Sequence, residues 1–389
     1  MSRAPFRLGY QPGLDGLRGV SLLLIMVFHS FLLWPESYAR GVPGSYLAVN
    51  VFFVLSGFLI TSLLLAERER NGRVAFGAFY MRRVLRLLPA LALVFGVDIV
   101  YLLSTHQAMR SQLSLMGWAG VYASNWMQWA GHVTDPVASL TWGHTWTLSV
   151  EEQFYLVWPT LLLVVLIRRI RLEVVGGLLL ACAVALTVLR TVAAYRVSGA
   201  GGAVALAGRL DQQIGMRTDF RADSLLLGGV AAIALHAGWR PGRGLRAVAT
   251  ALLAALVATQ VWVRPEARWM YGWGFTLFDA ALALLCVALL DRRWLPAAAF
   301  RWGPLVWVGR VSYGLYLWHP PVFMAVTRAM PHGRMAARLL WGWGLTFVLA
   351  ATSFYLVEQP FLRLKGRWER RGDPSPAGGP VAVTQGALP

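Results

Sequence analysis

The chain has 389 residues, of which 57% are hydrophobic and only 14% are charged. A soluble protein of this length needs more polar surface, so the composition indicates a polytopic membrane protein and argues against a set of soluble domains. The net charge of +18 does not indicate nucleic-acid binding, because the basic residues form short clusters between apolar runs, as orientation signals do.

Ten apolar runs are long enough to cross a bilayer, and they predict an all-α bundle of about ten transmembrane helices. The runs lie at 14–34, 47–66, 84–104, 148–167, 172–195, 222–238, 246–263, 272–290, 305–326 and 336–357. The distribution of arginine favours cytoplasmic N- and C-termini in a multi-pass protein of the cell membrane. We expect one transmembrane domain over 1–365 and a disordered cytoplasmic tail, rich in Pro, Gly and Ala, over 366–389.

Two connections between the runs differ from them in composition. The moderately apolar segment 105–147 could hold a re-entrant or interfacial helix, or two further spans. The segment 196–217 is Gly-rich and polar enough to be an external loop. The only cysteines, Cys182 and Cys286, lie inside apolar runs, so we expect neither a disulfide framework nor a metal site.

Three ionisable residues, Asp15, Arg18 and His29, share one face of the first predicted helix. Arg18 and His29 are eleven positions apart, or about 16 Å along a helix axis. Asp15 can cap the helix and Arg18 can extend to the interface. His29 lies toward the external half with no charged neighbour in sequence, so we predict a catalytic or pathway role for it.

An arginine cluster precedes the third run, at Arg82, Arg83 and Arg86. It could be an ordinary cytoplasmic loop of a membrane protein. However, Arg83 and Arg86 are three residues apart at the predicted start of a helix, so their guanidinium groups can converge on one anion. Because a helix N-terminus adds backbone donors, the cluster favours a cytosolic ligand that bears phosphate.

Polar side chains also enter the later runs at similar depth. His144, Glu151 and Tyr155 accompany the fourth run, where a carboxylate must turn toward the bundle or be neutralised. Each such residue could be structural by itself. Together they predict a shared, externally facing cavity, to which the sixth and ninth runs contribute Arg221, Asp223 and His319.

These elements together resemble the acyltransferase 3 family of integral membrane acyltransferases. The resemblance extends from about residue 12 to residue 360. It rests on LDGLR at 14–18 with His29 at the family's spacing, the arginine element at 83–89, the stretch 146–155 with Glu151, RAD at 221–223, and VSYGLYLWHP at 311–320.

The resemblance implies a ten-helix bundle that takes an acyl group, usually acetyl, from coenzyme A on the cytoplasmic side, without a metal. The acceptor would be a hydroxyl of a glycan, a lipid-linked sugar or a natural product. In this reading His29 is the general base, Glu151 orients it and Arg18 steers the thioester. Arg82, Arg83 and Arg86 bind the coenzyme A phosphates, and the acceptor site contains Asp15, His144, Tyr155, Arg221, Asp223 and His319.

Direct transfer and an acyl-histidine intermediate are both compatible with the sequence. The main alternative function is a multi-span transporter or flippase of a glycan or small molecule, in which intramembrane charges serve coupling or passage. Paired halves typical of many transporters are not visible. A non-catalytic receptor or scaffold would leave His29 and the arginine pair without a purpose. The sequence does not indicate an oligomeric state.

Overall fold

The computed structural model describes residues 6, 8–33, 42–107 and 109–363, which are almost entirely helical and contain no β-strand. The predicted all-α class is therefore confirmed for this part of the chain. The predicted tail at 366–389 lies outside the described residues. The helices, in chain order, are α1 (Pro12–Leu33), α2 (Val49–Asn71), α3 (Phe76–Ser104), α4 (Arg110–Gly120), α5 (Ser124–Trp129), α6 (Pro136–Trp142), α7 (Trp146–Ile167), α8 (Leu172–Arg196), α9 (Gly202–Leu210), α10 (Thr218–His236), α11 (Gly244–Trp262), α12 (Phe275–Leu289), α13 (Pro296–Phe300), α14 (Gly303–Arg310), α15 (Ser312–Ala329) and α16 (Met335–Ser353).

Eight helical stretches in the described residues are long and apolar enough to cross a membrane. They are Pro12–Leu33, Pro43–Asn71, Phe76–Ser104, Pro136–Ile167, Leu172–Arg196, Gly244–Trp262, Met270–Leu289 and Met335–Arg363. On α8 the outward face is apolar, with Val184, Val188 and Leu189 each more than half exposed. Since apolar surface on this scale is stable only against lipid, the chain is a polytopic helical membrane protein.

The sixth and ninth predicted spans correspond to α10 and α15, which are absent from those eight. The first two turns of α10 carry Asp219, Arg221 and Asp223, which lower its apolar character. Both helices are buried along most of their length inside the bundle. They surround the polar residues of the site rather than presenting an apolar face to lipid.

The structure corrects three sequence predictions and excludes one alternative. α3 begins at Phe76, eight residues before the predicted start of the third span. The predicted span 305–326 is two helices, α14 and α15, that meet at Val311. The segment 105–147 does not form two further spans: α4 and α5 are too short to cross a bilayer, and α6 continues into the stretch Pro136–Ile167 that contains α7. The predicted external loop 196–217 contains α9 and a π-helical turn, Asp211–Gly215.

Glycines set two of the closest helix contacts in the bundle. A Cβ atom on Gly57 of α2 would lie 1.9 Å from the Leu225 carbonyl oxygen, and one on Gly228 of α10 would lie 2.0 Å from that of Val54. On α14, a Cβ atom on Gly309 would lie 1.8 Å from the Asp15 carbonyl oxygen of α1. Only glycine permits backbones to approach so closely.

Candidate active site

Three histidines from different helices meet inside the bundle. The ring centroid of His29 on α1 lies 4.9 Å from that of His319 on α15 and 6.3 Å from that of His144, which precedes α7. The His144 and His319 centroids are 5.4 Å apart. The structure thus brings together three residues that the sequence places in three separate segments.

The hydrogen bonds of this cluster fix which nitrogens carry protons. His319 Nδ1 lies 2.9 Å from the Leu315 carbonyl oxygen, and His29 Nδ1 lies 3.0 Å from that of Ile25. A carbonyl oxygen only accepts, so both Nδ1 atoms carry hydrogen. His319 Nε2, 3.2 Å from His29 Nδ1, is then an acceptor for the same proton. In the neutral ring this assignment leaves His29 Nε2 unprotonated, and that nitrogen has no hydrogen-bond partner among the described residues.

A cavity of about 740 Å³ opens beside this cluster. His29 and His144 lie on its wall, whereas His319 is fully buried behind His29. His144 is 5% exposed, and neither of its ring nitrogens has a hydrogen-bond partner among the described residues. The volume is within the range of sites for small ligands.

Tyr316 connects α15 to the start of α7 beside the cavity. Its hydroxyl donates to the carbonyl oxygen of His144 and lies 2.5 Å from Thr147 Oγ1. These contacts hold the segment that carries His144 against the helix that carries His319. Tyr316 is therefore a positioning residue of the histidine cluster, and the sequence reading did not single it out.

Arg221 reaches the cavity, but Asp223, two residues later, does not. Asp223 is fully buried and forms an ion pair of 2.7 Å with Arg190 of α8. Thr276 also donates to Asp223, over 2.7 Å. The predicted substrate-binding role of Asp223 is thus not matched by its position, since its carboxylate is already fully paired inside the bundle.

A second buried carboxylate supports Arg221. Asp279 of α12 accepts hydrogen bonds of 2.7 Å from Asn50 and 2.5 Å from Ser224. The amide oxygen of Asn50 in turn accepts a hydrogen bond from Arg221. The charge of Asp279 therefore reaches Arg221 through one intervening side chain.

Asp211 lies on the same cavity, in the π-helical turn after α9. Burial raises the pKa of its carboxyl group from 3.8 to about 6, and nearby Arg221 opposes this shift. A π-helical turn is often found where a side chain is directed into a functional site. Here it directs Asp211 toward the cavity.

A separate polar cluster lies on the half of the bundle that contains the start of α1. Arg83 of α3 forms an ion pair of 2.6 Å with Glu152, and its guanidinium carbon lies 3.3 Å from the Tyr155 ring centroid. Arg82 approaches Glu67 at 3.9 Å. Because α3 begins at Phe76, these arginines lie within the helix, and the predicted helix N-terminus is not beside them.

Arg18 and Asp15 line a smaller pocket of about 110 Å³ near the first turns of α1. Arg18 donates a long hydrogen bond of 3.5 Å to Ser312, and its buried Nε has no partner among the described residues. Arg86 lies within electrostatic range of Arg18 and Glu358, but makes no hydrogen bond in the described chain. Before α1, burial and the Asp15 carboxylate raise the pKa of Tyr10 to about 12.

The predicted pairing of Glu151 with His29 is wrong in this structure. Glu151 accepts a hydrogen bond of 3.0 Å from Ser56 and lies within electrostatic range of Arg83. His29 is oriented instead by Ile25 and His319. Of the predicted acceptor residues, His144 and Arg221 line the large cavity, whereas His319, Asp223, Tyr155 and Asp15 do not.

Some polar residues of the site were missed by the sequence reading. Arg190 and Asp279 are single charges inside predicted spans, which is itself a signal of function or pairing. Glu358 near the end of the last span carried the same signal. Asn50 and Asp211 carried no comparable pattern, since one is a neutral amide in an apolar run and the other lies in a Gly-rich segment.

The apolar exterior, the buried charges and the histidine-lined cavity together define a polytopic membrane protein with a candidate active site inside its helical bundle. The Acyltransferase domain of the acyltransferase 3 family matches residues 11–358. The chain belongs to this family, as the sequence resemblance predicted.

Among curated proteins, the chain is similar to a peptidoglycan O-acetyltransferase, OatA, of Listeria monocytogenes, with 30% identity over 90% of this chain and 56% of that protein. The O-acetyltransferase OatA of Staphylococcus aureus is 28% identical, over 92% of this chain and 58% of that protein. A putative O-acetyltransferase of Staphylococcus aureus is 28% identical, over 91% and 58%. The chain spans a little over half the length of these relatives. No solved structure matches it.

Proposed function

We propose that the chain is a membrane O-acetyltransferase that moves an acetyl group from cytosolic acetyl-coenzyme A to a hydroxyl group of a glycan. Family membership and three relatives named as O-acetyltransferases support this class of reaction. One observation carries the proposal for the site: His29 lies on the wall of the large cavity with an unprotonated, unpartnered Nε2.

The chemistry requires removal of one proton and stabilisation of one developing charge. His29 Nε2 takes the proton of the acceptor hydroxyl while its oxygen attacks the thioester carbonyl carbon. The carbon–sulfur bond then breaks, an ester forms, and the departing thiolate receives the proton from His29. His319 stabilises the positive imidazole, because its Nε2 accepts from His29 Nδ1.

The arginine residues near the start of α1 suit a donor that carries phosphates. Arg18 Nε is buried without a partner, and Arg86 has no hydrogen bond within the described chain. Their N–H groups remain available for anionic oxygens. Arg83 is less available because Glu152 already occupies its guanidinium group. We therefore assign phosphate binding mainly to Arg86, with Arg18 between it and His29.

The proposed orientation places both termini in the cytoplasm and ten spans across the cell membrane, with α10 and the α14–α15 pair counted among them. The large cavity, on the C-terminal half of α1, then faces outward, and the smaller pocket faces the cytoplasm. Donor and acceptor would approach His29 from opposite sides of the membrane.

The test uses the purified protein in sealed liposomes, with acetyl-coenzyme A labelled in the acetyl group and a glycan acceptor on opposite sides. We expect label on the glycan as an alkali-labile ester, with donor on the side of the termini. A His332→Asn variant, altered at an exposed histidine, serves as a control and should retain transfer. Passage of intact glycan across the membrane without esterification would instead support a transporter.

A further inference from the structure

Arg221 is a buried cation with most of its hydrogen-bonding capacity unused. Its side chain is 1% exposed and contributes to the wall of the large cavity. A guanidinium group has five N–H donors, yet Arg221 makes a single hydrogen bond, to Asn50. Its Nε and Nη1 atoms are buried without a partner among the described residues. Such donors are costly unless a ligand satisfies them.

The guanidinium group of Arg221 is also held in a fixed position. Its carbon lies 4.3 Å from the ring centroid of Phe275 on one helix and 5.1 Å from that of Phe53 on another. Asn50 binds its third side and is itself fixed by Asp279. The unused donors are therefore preorganised, which reduces the entropy lost when a ligand binds.

The surrounding charges determine which ligand group suits these donors. Among the described residues that line the cavity or directly support Arg221, the charged side chains are Arg190, Arg221, Arg264, Asp211, Asp223, Asp279 and Glu266. With all of them ionised, carboxylates outnumber arginines by one. The acidic and basic side chains therefore nearly balance, so the region has no excess of positive charge to attract a carboxylate or phosphate. A neutral oxygen, such as an amide carbonyl, can accept from Arg221 without adding a charge.

Asp211 supplies the complementary acceptor on the same cavity. It lies within electrostatic range of Arg221 but forms no ion pair with it, so a ligand group can lie between the two. An amide has both a carbonyl acceptor and an N–H donor, as this arrangement requires. Tyr46 and Tyr271, whose rings stack with centroids 5.9 Å apart, add an aromatic wall suited to the apolar face of a sugar.

We propose that Arg221 and Asp211 form a subsite for the amide group of an N-acylated amino sugar. The amide oxygen accepts from Arg221, the amide N–H donates to Asp211, and a neighbouring hydroxyl of the sugar is presented to His29. This subsite deepens the proposed transferase function. The measurement of acetyl transfer to the sugar rests on that function. Binding of the sugar does not depend on transfer and is measured separately.

The first experiment varies the sugar and leaves the protein unchanged. A β-1,4-linked tetrasaccharide of N-acetylglucosamine is compared with those of glucosamine, glucose and glucuronic acid, both as acceptors and in calorimetric titrations with the protein in nanodiscs. We expect the N-acetyl sugar to have a Kd and a KM at least about tenfold below those of the glucose sugar. The glucose sugar lacks the amide group and therefore loses one or two charge-assisted hydrogen bonds. Equal values, or a preference for glucuronate, would overturn the subsite.

The second experiment changes the protein. Arg221→Gln should remove most of the preference for the N-acetyl sugar, and Asp211→Asn should reduce it, whereas Arg243→Gln, at an exposed arginine, should leave it unchanged. A preference that persists in folded Arg221→Gln protein would contradict the assignment. If Arg221→Gln does not fold, Asp211→Asn and the sugar comparison decide. Selective binding of the N-acetyl sugar without any acetyl transfer would sustain the subsite and refute the transferase.

Discussion

Replacement of His29 by asparagine separates its chemistry from its structural contacts. The asparagine side-chain nitrogen occupies roughly the position of His29 Nδ1, so it can still donate to Ile25 and His319, which lie 3.0 and 3.2 Å from Nδ1. No group of the variant replaces Nε2. A general base contributes about 10²–10⁴-fold to the rate, or about 3–5 kcal/mol of transition-state stabilisation. We expect His29→Asn to lose activity in that range.

The assay measures kcat/KM for transfer of labelled acetyl to the glycan in liposomes, together with thermal unfolding followed by tryptophan fluorescence. Since the Nδ1 contacts are retained, the free energy of unfolding should change by less than about 2 kcal/mol. His332→Asn provides the matched control. Transfer within threefold of the native rate, in folded His29→Asn protein, would refute the assignment of His29 as base.

Three further predictions concern the charged residues. Arg86→Gln should raise KM for acetyl-coenzyme A about 10–100-fold, because it removes charge-assisted hydrogen bonds. Arg83→Gln should raise KM less, because Glu152 already binds the guanidinium group of Arg83. A larger effect of Arg83→Gln than of Arg86→Gln would contradict the proposed phosphate site. Asp223→Asn should lower the free energy of unfolding by about 3–5 kcal/mol, because buried Arg190 loses its counter-charge. The effect is measured by thermal unfolding, and an unchanged melting temperature would contradict a structural role of Asp223. As burial raises the pKa of Asp211 to about 6, the folded protein binds this proton more tightly than the unfolded chain, so stability should fall as the pH rises from 3.8 to about 6. In the Asp211→Asn variant, the free energy of unfolding should vary less with pH across that interval. An unchanged dependence on pH would show that Asp211 is not the group responsible.

The length and apolar character of the helices could be predicted from sequence, because both depend on residues that are close together along the chain. α1 and α8 begin and end within a few residues of their predicted limits. The start of α3 was mislocated because Arg82 and Arg83 interrupt the apolar run before Val84, although the stretch from Phe76 is helical and packs through buried Phe79. The break at Val311 was missed because the apolar run continues beyond Arg310 on one side and beyond Ser312 on the other.

Pairing of polar residues was less accessible to sequence reasoning, since it depends on helix neighbours. Glu151 and His29 were assigned to each other from chemistry alone, but Glu151 binds Ser56 and His29 binds His319. Asp223 was assigned with Arg221 to the acceptor site. Its actual ion-pair partner, Arg190, lies on another helix, and no local sequence pattern shows which helices are neighbours in space.

The glycine contacts described for α1 with α14 and α2 with α10 have a consequence for how freely these helices can move. With facing backbone this close to Gly57, Gly228 and Gly309, each pair of helices is held at a short separation with no side chain between the backbones. Under the proposed function, helices paired this closely suit a fixed scaffold, in which the acyl group moves and the helices stay in place.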